Sequence, residues 1–141
     1  MTISVRLDTR KLDQIAAGLN KNTAHVIKML AFKVEQKAKP LSPIDLGALR
    51  NSIYTVTKDY DGFSEASAAA KAKNPNVEIV RIPKPENDLT ANVGPCVDYG
   101  VYQEFGVESR HIPAHPYMTP AAHAVESDLN SGKTWEELFK K

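Results

Sequence analysis

A single cysteine, Cys96, leaves this 141-residue chain without an internal disulfide or a cysteine-rich zinc module. No window approaches the roughly 18 consecutive apolar residues of a membrane span, and the opening MTISVRLDTR holds no apolar stretch of the secretory kind. Net charge is nearly absent: 18 lysines and arginines against 17 aspartates and glutamates leave +1, which argues against a supercharged nucleic-acid binder. Glycines 94, 100 and 106 recur every six residues but form neither G-x-G nor G-K-S/T, so no phosphate-cradling loop is present. What remains is ordinary globular chemistry, 42% hydrophobic and 25% charged, enough to bury a core without metal or disulfide staples. These features predict a soluble, non-secreted, single α+β domain over residues 1–141.

Hydrophobic periodicity gives the outline. Ile3, Val5 and Leu7 alternate with polar residues as a short strand. From Leu12 a series on one helical face runs through Ile15, Ala16, Leu19, Thr23, Val26, Ile27, Leu30, Val34 and Ala38, stepping mostly by three or four. One helix from 9 to 39 would be about 46 Å long, against about 37 Å for a sphere of this chain length. Either the helix projects beyond the body or it breaks at Gly18, Asn20 and Asn22; the break is the simpler reading and gives a short first helix and a long second one that Pro40 and Pro43 end at Lys39. Strands are predicted at 53–57, 77–82 and 89–93, forming a small antiparallel sheet under the long helix. Residues 59–76 are small and polar, and read as a flexible excursion with one helical turn. A short aromatic helix follows, with Tyr99, Tyr102 and Phe105 on one side, then a proline-containing loop and a helix from about Pro120 to Leu129. The tail KTWEELFKK sets Trp135, Leu138 and Phe139 at helical spacing.

Three chemistries compete for these residues. His111, His115 and His123, with Glu104, are the ligand types of a small metal-dependent hydrolase, but Pro113 and Pro116 keep the first two off a common helical face and no H-E-x-x-H pattern occurs. Lys28, Lys33, Lys37 and Lys39 follow one helix, which reads first as a solvated face and second as a weak attraction to DNA phosphates. Cys96 lacks a catalytic signature and reads as packing. The third chemistry is assembly. In P-I-D-L-G-A-L-R-N-S-I, Asp45 suits a cap, Gly47 an unusual backbone turn, and Arg50 a strand start from which its fork clamps a carboxylate such as Glu104. Y-x-x-Y-x-E-F-G at 99–106 and H-P-Y-M-T-P-A at 115–121 combine aromatics with a proline-rich loop, a composition common in subunit contacts.

Taken in order, A-K-P-x-S-P, D-x-G-x-L-R-x-S-I, Y-x-x-Y-x-E-F-G and P-Y-M-T-P-A resemble the neck, or head–tail joining, proteins of long-tailed bacteriophages, also described as minor tail components or tail-completion proteins. The resemblance covers about residues 8 to 130, with Val107 and Tyr117 standing where the family usually has Thr and Phe. It implies a structural virion protein without enzymatic activity, cofactor or metal, located at the neck or tail top and in the host cytoplasm during assembly. It further implies a homo-oligomeric ring, six subunits first and twelve as the competing number, contacting other neck and tail proteins and no membrane, with DNA passing nearby in the channel. Asp45, Gly47, Leu49, Arg50 and Ser52 would form the structural signature. Tyr99, Tyr102, Glu104, Phe105, Gly106, Pro116, Tyr117, Met118, Pro120 and Trp135 would form the subunit or partner interface.

Overall fold

The computed structural model describes residues 23–43, 47–87 and 89–131. The expected first strand and first helix, the break near 18–22, Asp45 and the Trp135 tail lie outside these residues.

Helix α1 (Thr23–Leu41) turns one stripe inward: Val26, Ile27, Leu30, Ala31, Val34 and Ala38 are all buried. Each large aliphatic side chain removed from water in this way contributes roughly 1.5–3 kcal/mol. The helix runs two residues beyond the expected stop and contains Pro40 in its last turn. Proline there gives no donor to the Gln36 carbonyl, but the turn closes behind it. The Ser42 N–H donates to the Ala38 carbonyl (3.0 Å) and the Ser42 hydroxyl to the Lys39 carbonyl (2.7 Å).

The chain then turns through Gly47 into a single helical turn, α2 (Ala48–Ser52), and directly into strand β1 (Ile53–Val56). β1 pairs antiparallel with β2 (Asn92–Pro95) in the register Ile53 opposite Pro95 and Val56 opposite Asn92. All four β1 residues are buried because helices cover it: the Thr55 hydroxyl donates to Glu35 on α1 (2.7 Å), while the neighbouring Tyr54 ring meets Phe63 edge-on at 5.8 Å. The fold is thus α+β, a long helix on a small antiparallel sheet.

Two expectations are corrected. Among the described residues the sheet has two strands rather than three. Segment 77–82 contributes one bridge, Ile79 opposite Val97, with the Val80 N–H on the Cys96 carbonyl (2.7 Å). At Ile82 the N–H goes to the Tyr54 hydroxyl (2.7 Å) instead of a strand carbonyl, and Pro83 follows with no N–H to offer. The supposed excursion holds a three-turn helix, α3 (Phe63–Lys73). The Asp61 carboxylate accepts the Phe63 N–H at its start (2.9 Å), and Lys71 and Lys73 lie in its last turn. Its alanines are excellent helix formers and small enough for close approach, with Ala66 and Ala70 buried.

Helix α4 (Gly100–Phe105), a 3-10 turn (Glu108–Arg110) and helix α5 (Met118–Asn130) complete the described residues. α5 lays Ala121, Ala122, Val125 and Leu129 against the core and packs on α1.

Candidate assembly interface

The corner between α1 and β1 is built by the second sequence motif. Gly47 sits at φ +83°, a left-handed backbone that side chains resist. Leu49 enters the core and the buried Ser52 hydroxyl donates to the Leu49 carbonyl (2.7 Å). Arg50 lies in α2 rather than starting a strand, and its Nε donates to the Lys39 carbonyl at 2.9 Å. It therefore joins the Ser42 hydroxyl on the Lys39 carbonyl at the end of α1 and does not clamp Glu104, because the last carbonyls of a helix lack intrahelical partners and keep acceptor capacity within its reach.

Glu104 has a different task. Helix α5 begins at Tyr117 without a side-chain cap of its own. The Glu104 carboxylate supplies it: Oε2 accepts the N–H groups of Tyr117 (2.7 Å) and Met118 (2.9 Å). Oε1 accepts the N–H of Thr119 (2.9 Å) and its hydroxyl (2.6 Å). The next residue is Pro120, which has no N–H, so the orphan donors of the first turn are all answered. A negative charge also suits the positive end of the helix dipole. Glu104 is 3% exposed. Burial pushes its pKa up, but the Thr119 hydroxyl and the three N–H groups outweigh burial and hold the carboxyl below its ordinary range.

Two glycines let α4 sit where this bond needs it. A Cβ on Gly100 would stand 2.5 Å from Pro95 Cγ and 3.0 Å from the Tyr117 hydroxyl, which donates to the Gly100 carbonyl (2.9 Å). Gly100→Ala is expected to lower stability by about 2 kcal/mol, measured as a shift in urea midpoint. Overpacking a closed core costs roughly 1–3 kcal/mol and exceeds the helix-propensity gain of at most about 1 kcal/mol. Gly106 ends α4 at φ +70°, ψ 176°. From there Val107 and Ile112 exchange two backbone hydrogen bonds (2.9 and 3.0 Å), and the His115 N–H returns to the Gln103 carbonyl (2.7 Å).

The expected interface residues divide between core and surface. Tyr117 and Met118 are wholly buried and Glu104 nearly so; their contacts lie within the chain, which corrects their placement on a contact surface. Gly106 and Pro120 serve the loop and the helix start. Tyr99 packs against the core, whereas Tyr102 and Phe105 are 46% and 59% exposed. Residues three apart on a helix are offset by about 60°, so a stripe of three aromatics at that spacing drifts by about 120° from first to last. Pro116 and Ile112 are exposed as well. The aromatics that α4 turns outward are therefore Tyr102 and Phe105.

The competing chemistries find less. Among the described residues no three His, Cys, Asp or Glu side chains lie together as a metal site. His111, His115 and His123 are exposed on the 3-10 turn's end, the returning loop and α5 respectively, and Glu104 is occupied by the α5 backbone. Burial pushes the Cys96 thiol up to about 11, the opposite of an activated nucleophile. The α1 lysines have partners within the chain: Lys28 lies over the Tyr60 ring at 4.8 Å, Lys37 meets Asp128 at 3.5 Å and Lys39 meets Glu35 at 2.9 Å.

Residues 9–106, more than two thirds of the chain, match the model of a family described as "Bacteriophage HK97-gp10, putative tail-component". The chain belongs to this HK97-gp10-like family. Membership places it among structural phage tail components, hence in the virion with other tail proteins as its neighbours. The match takes in the Gly47–Ser52 corner and Glu104 and closes on Gly106, before the helix α5 that Glu104 caps. No curated protein and no solved structure matches the chain. No helix among the described residues is long and apolar enough to cross a membrane.

Proposed function

We propose that this HK97-gp10-like chain is a ring-forming subunit of the neck or tail top, which joins the head connector to the tail, and that the outer face of α4 is a contact between copies. The observation that carries this reading is the pairing of two large exposed aromatics, Tyr102 and Phe105, with a helix whose inner face is tied down at Gly100, Gln103 and Glu104. Rigid exposed aromatic anchors are typical interface centres. The net charge of +1 suits a ring, in which like-charged subunits would repel. Six copies are the favoured number and twelve the competing one.

Light scattering over a concentration series tests the reading. A ring-sized species that grows with concentration is expected, and its mass gives the subunit number. Phe105→Ser should raise the concentration of half-assembly by about tenfold or more, since losing a buried phenylalanine contact is worth roughly 1.5–3 kcal/mol. A wild-type chain that stays monomeric throughout, or Phe105→Ser assembling like wild type, overturns it.

A further inference from the structure

Helix α4 has six residues, too few to hold a direction by its own hydrogen bonds. Its outer face offers Tyr102 and Phe105, while its inner face is fastened at three points to the stretch that leads into α5. These are the Tyr117 hydroxyl on the Gly100 carbonyl, the His115 N–H on the Gln103 carbonyl, and the Glu104 carboxylate on residues 117–119. Glu104 lies between Tyr102 and Phe105 in sequence, is the only charged residue of α4, and takes four hydrogen bonds from a helix that is itself packed on α1. A rotation of α4 that re-aimed either aromatic would pull the carboxylate away from those donors.

We infer that Glu104 is a positioning residue for assembly: by clamping α4 to the start of α5 it sets the direction in which Tyr102 and Phe105 meet a second copy of the chain. This rests on the reading of the α4 face as an intersubunit contact. Glu104 itself, being buried, touches no partner. A conformationally fixed contact loses less freedom on association than one that must be ordered, so cutting the clamp weakens assembly in a chain that is still folded.

Sedimentation equilibrium on the full-length chain tests this, at a temperature where circular dichroism shows every variant folded. Glu104→Gln removes the charge and part of the clamp. Thr119→Val removes only the hydroxyl donor and serves if Glu104→Gln does not fold. Val34→Ala, in the buried stripe of α1, supplies a comparable loss of Tm without removing any hydrogen bond of the clamp. The expected result is association weakened about tenfold by Glu104→Gln, by a smaller factor with Thr119→Val, and by less than about twofold with Val34→Ala. Clamp variants that associate like wild type while Phe105→Ser is weakened overturn the inference and leave the contact face standing, as does Val34→Ala weakening association equally. Phe105→Ser associating like wild type overturns the contact face and the inference with it.

Discussion

Replacing Glu104 by alanine is expected to lower stability by about 3–4 kcal/mol, because buried donors left without an acceptor cost roughly 1–3 kcal/mol each, partly relieved by water entering the space. For a chain of this length that corresponds to a fall in Tm of roughly 10 °C, read by calorimetry or circular dichroism. The same bond has a pH signature. The folded pKa of Glu104 lies below its ordinary value of 4.5, so the unfolded chain binds the proton first as pH falls. The stabilisation is fully present above that ordinary value and is lost as pH falls from it through the lower folded pKa. Asp61 works in the same direction: burial raises its pKa, but the Phe63 N–H and Arg81 outweigh burial and lower it. Acid unfolding of the wild type should therefore be steep below about pH 4.5, and Glu104→Ala should flatten it. A variant whose stability and acid slope match wild type would show that the α5 start is capped some other way.

Gly106→Ala is expected to be nearly as costly, at about 3 kcal/mol. At φ +70° and ψ 176° the residue occupies a region that is essentially reserved for glycine, and holding a side chain there costs roughly 1–3 kcal/mol. A Cβ would also stand 2.7 Å from the Ile112 carbonyl oxygen and 2.8 Å from the Ala114 nitrogen. Both are backbone atoms of the returning loop, which cannot swing aside as the end of a flexible side chain could. The loop must move, and with it the His115 N–H bond to Gln103. Chemical denaturation measures the loss, and amide exchange across 107–115 shows whether the loop has opened. An alanine variant with wild-type stability and protection would mean that the turn relaxes without strain.

Much of the fold is legible along the chain because it depends on local periodicity. The stripe Val26, Ile27, Leu30, Val34 and Ala38 announces α1, the β-branched run at 53–57 announces β1, and Ala121, Val125 and Leu129 announce α5. Gly47 announces its own left-handed turn. Helix α3 was hidden for a physical reason. Its buried positions are alanines, so it packs by closeness rather than by large apolar area, and its low hydrophobicity resembles that of a loop. The role of Glu104 left a fainter signal. Helix α5 opens with no Ser, Thr, Asp or Asn at its cap position and with proline in its first turn, so its N–H donors had to find an acceptor elsewhere in the chain.

The sequence by itself determined where α1, β1 and α5 lie, since that follows from spacing, proline and the cost of exposing apolar stripes. Its ordered motifs pointed to the phage tail family for the same reason: a corner such as D-x-G-x-L-R is a local solution to a local turn. Only the tertiary structure decided which side chains meet across eleven or more residues. It sent Arg50 to the end of α1, Glu104 to the start of α5, Tyr117 and Met118 inward, and Tyr102 and Phe105 outward. Those choices depend on which unpaired carbonyls and N–H groups the packed helices bring within reach, and no spacing rule contains that information.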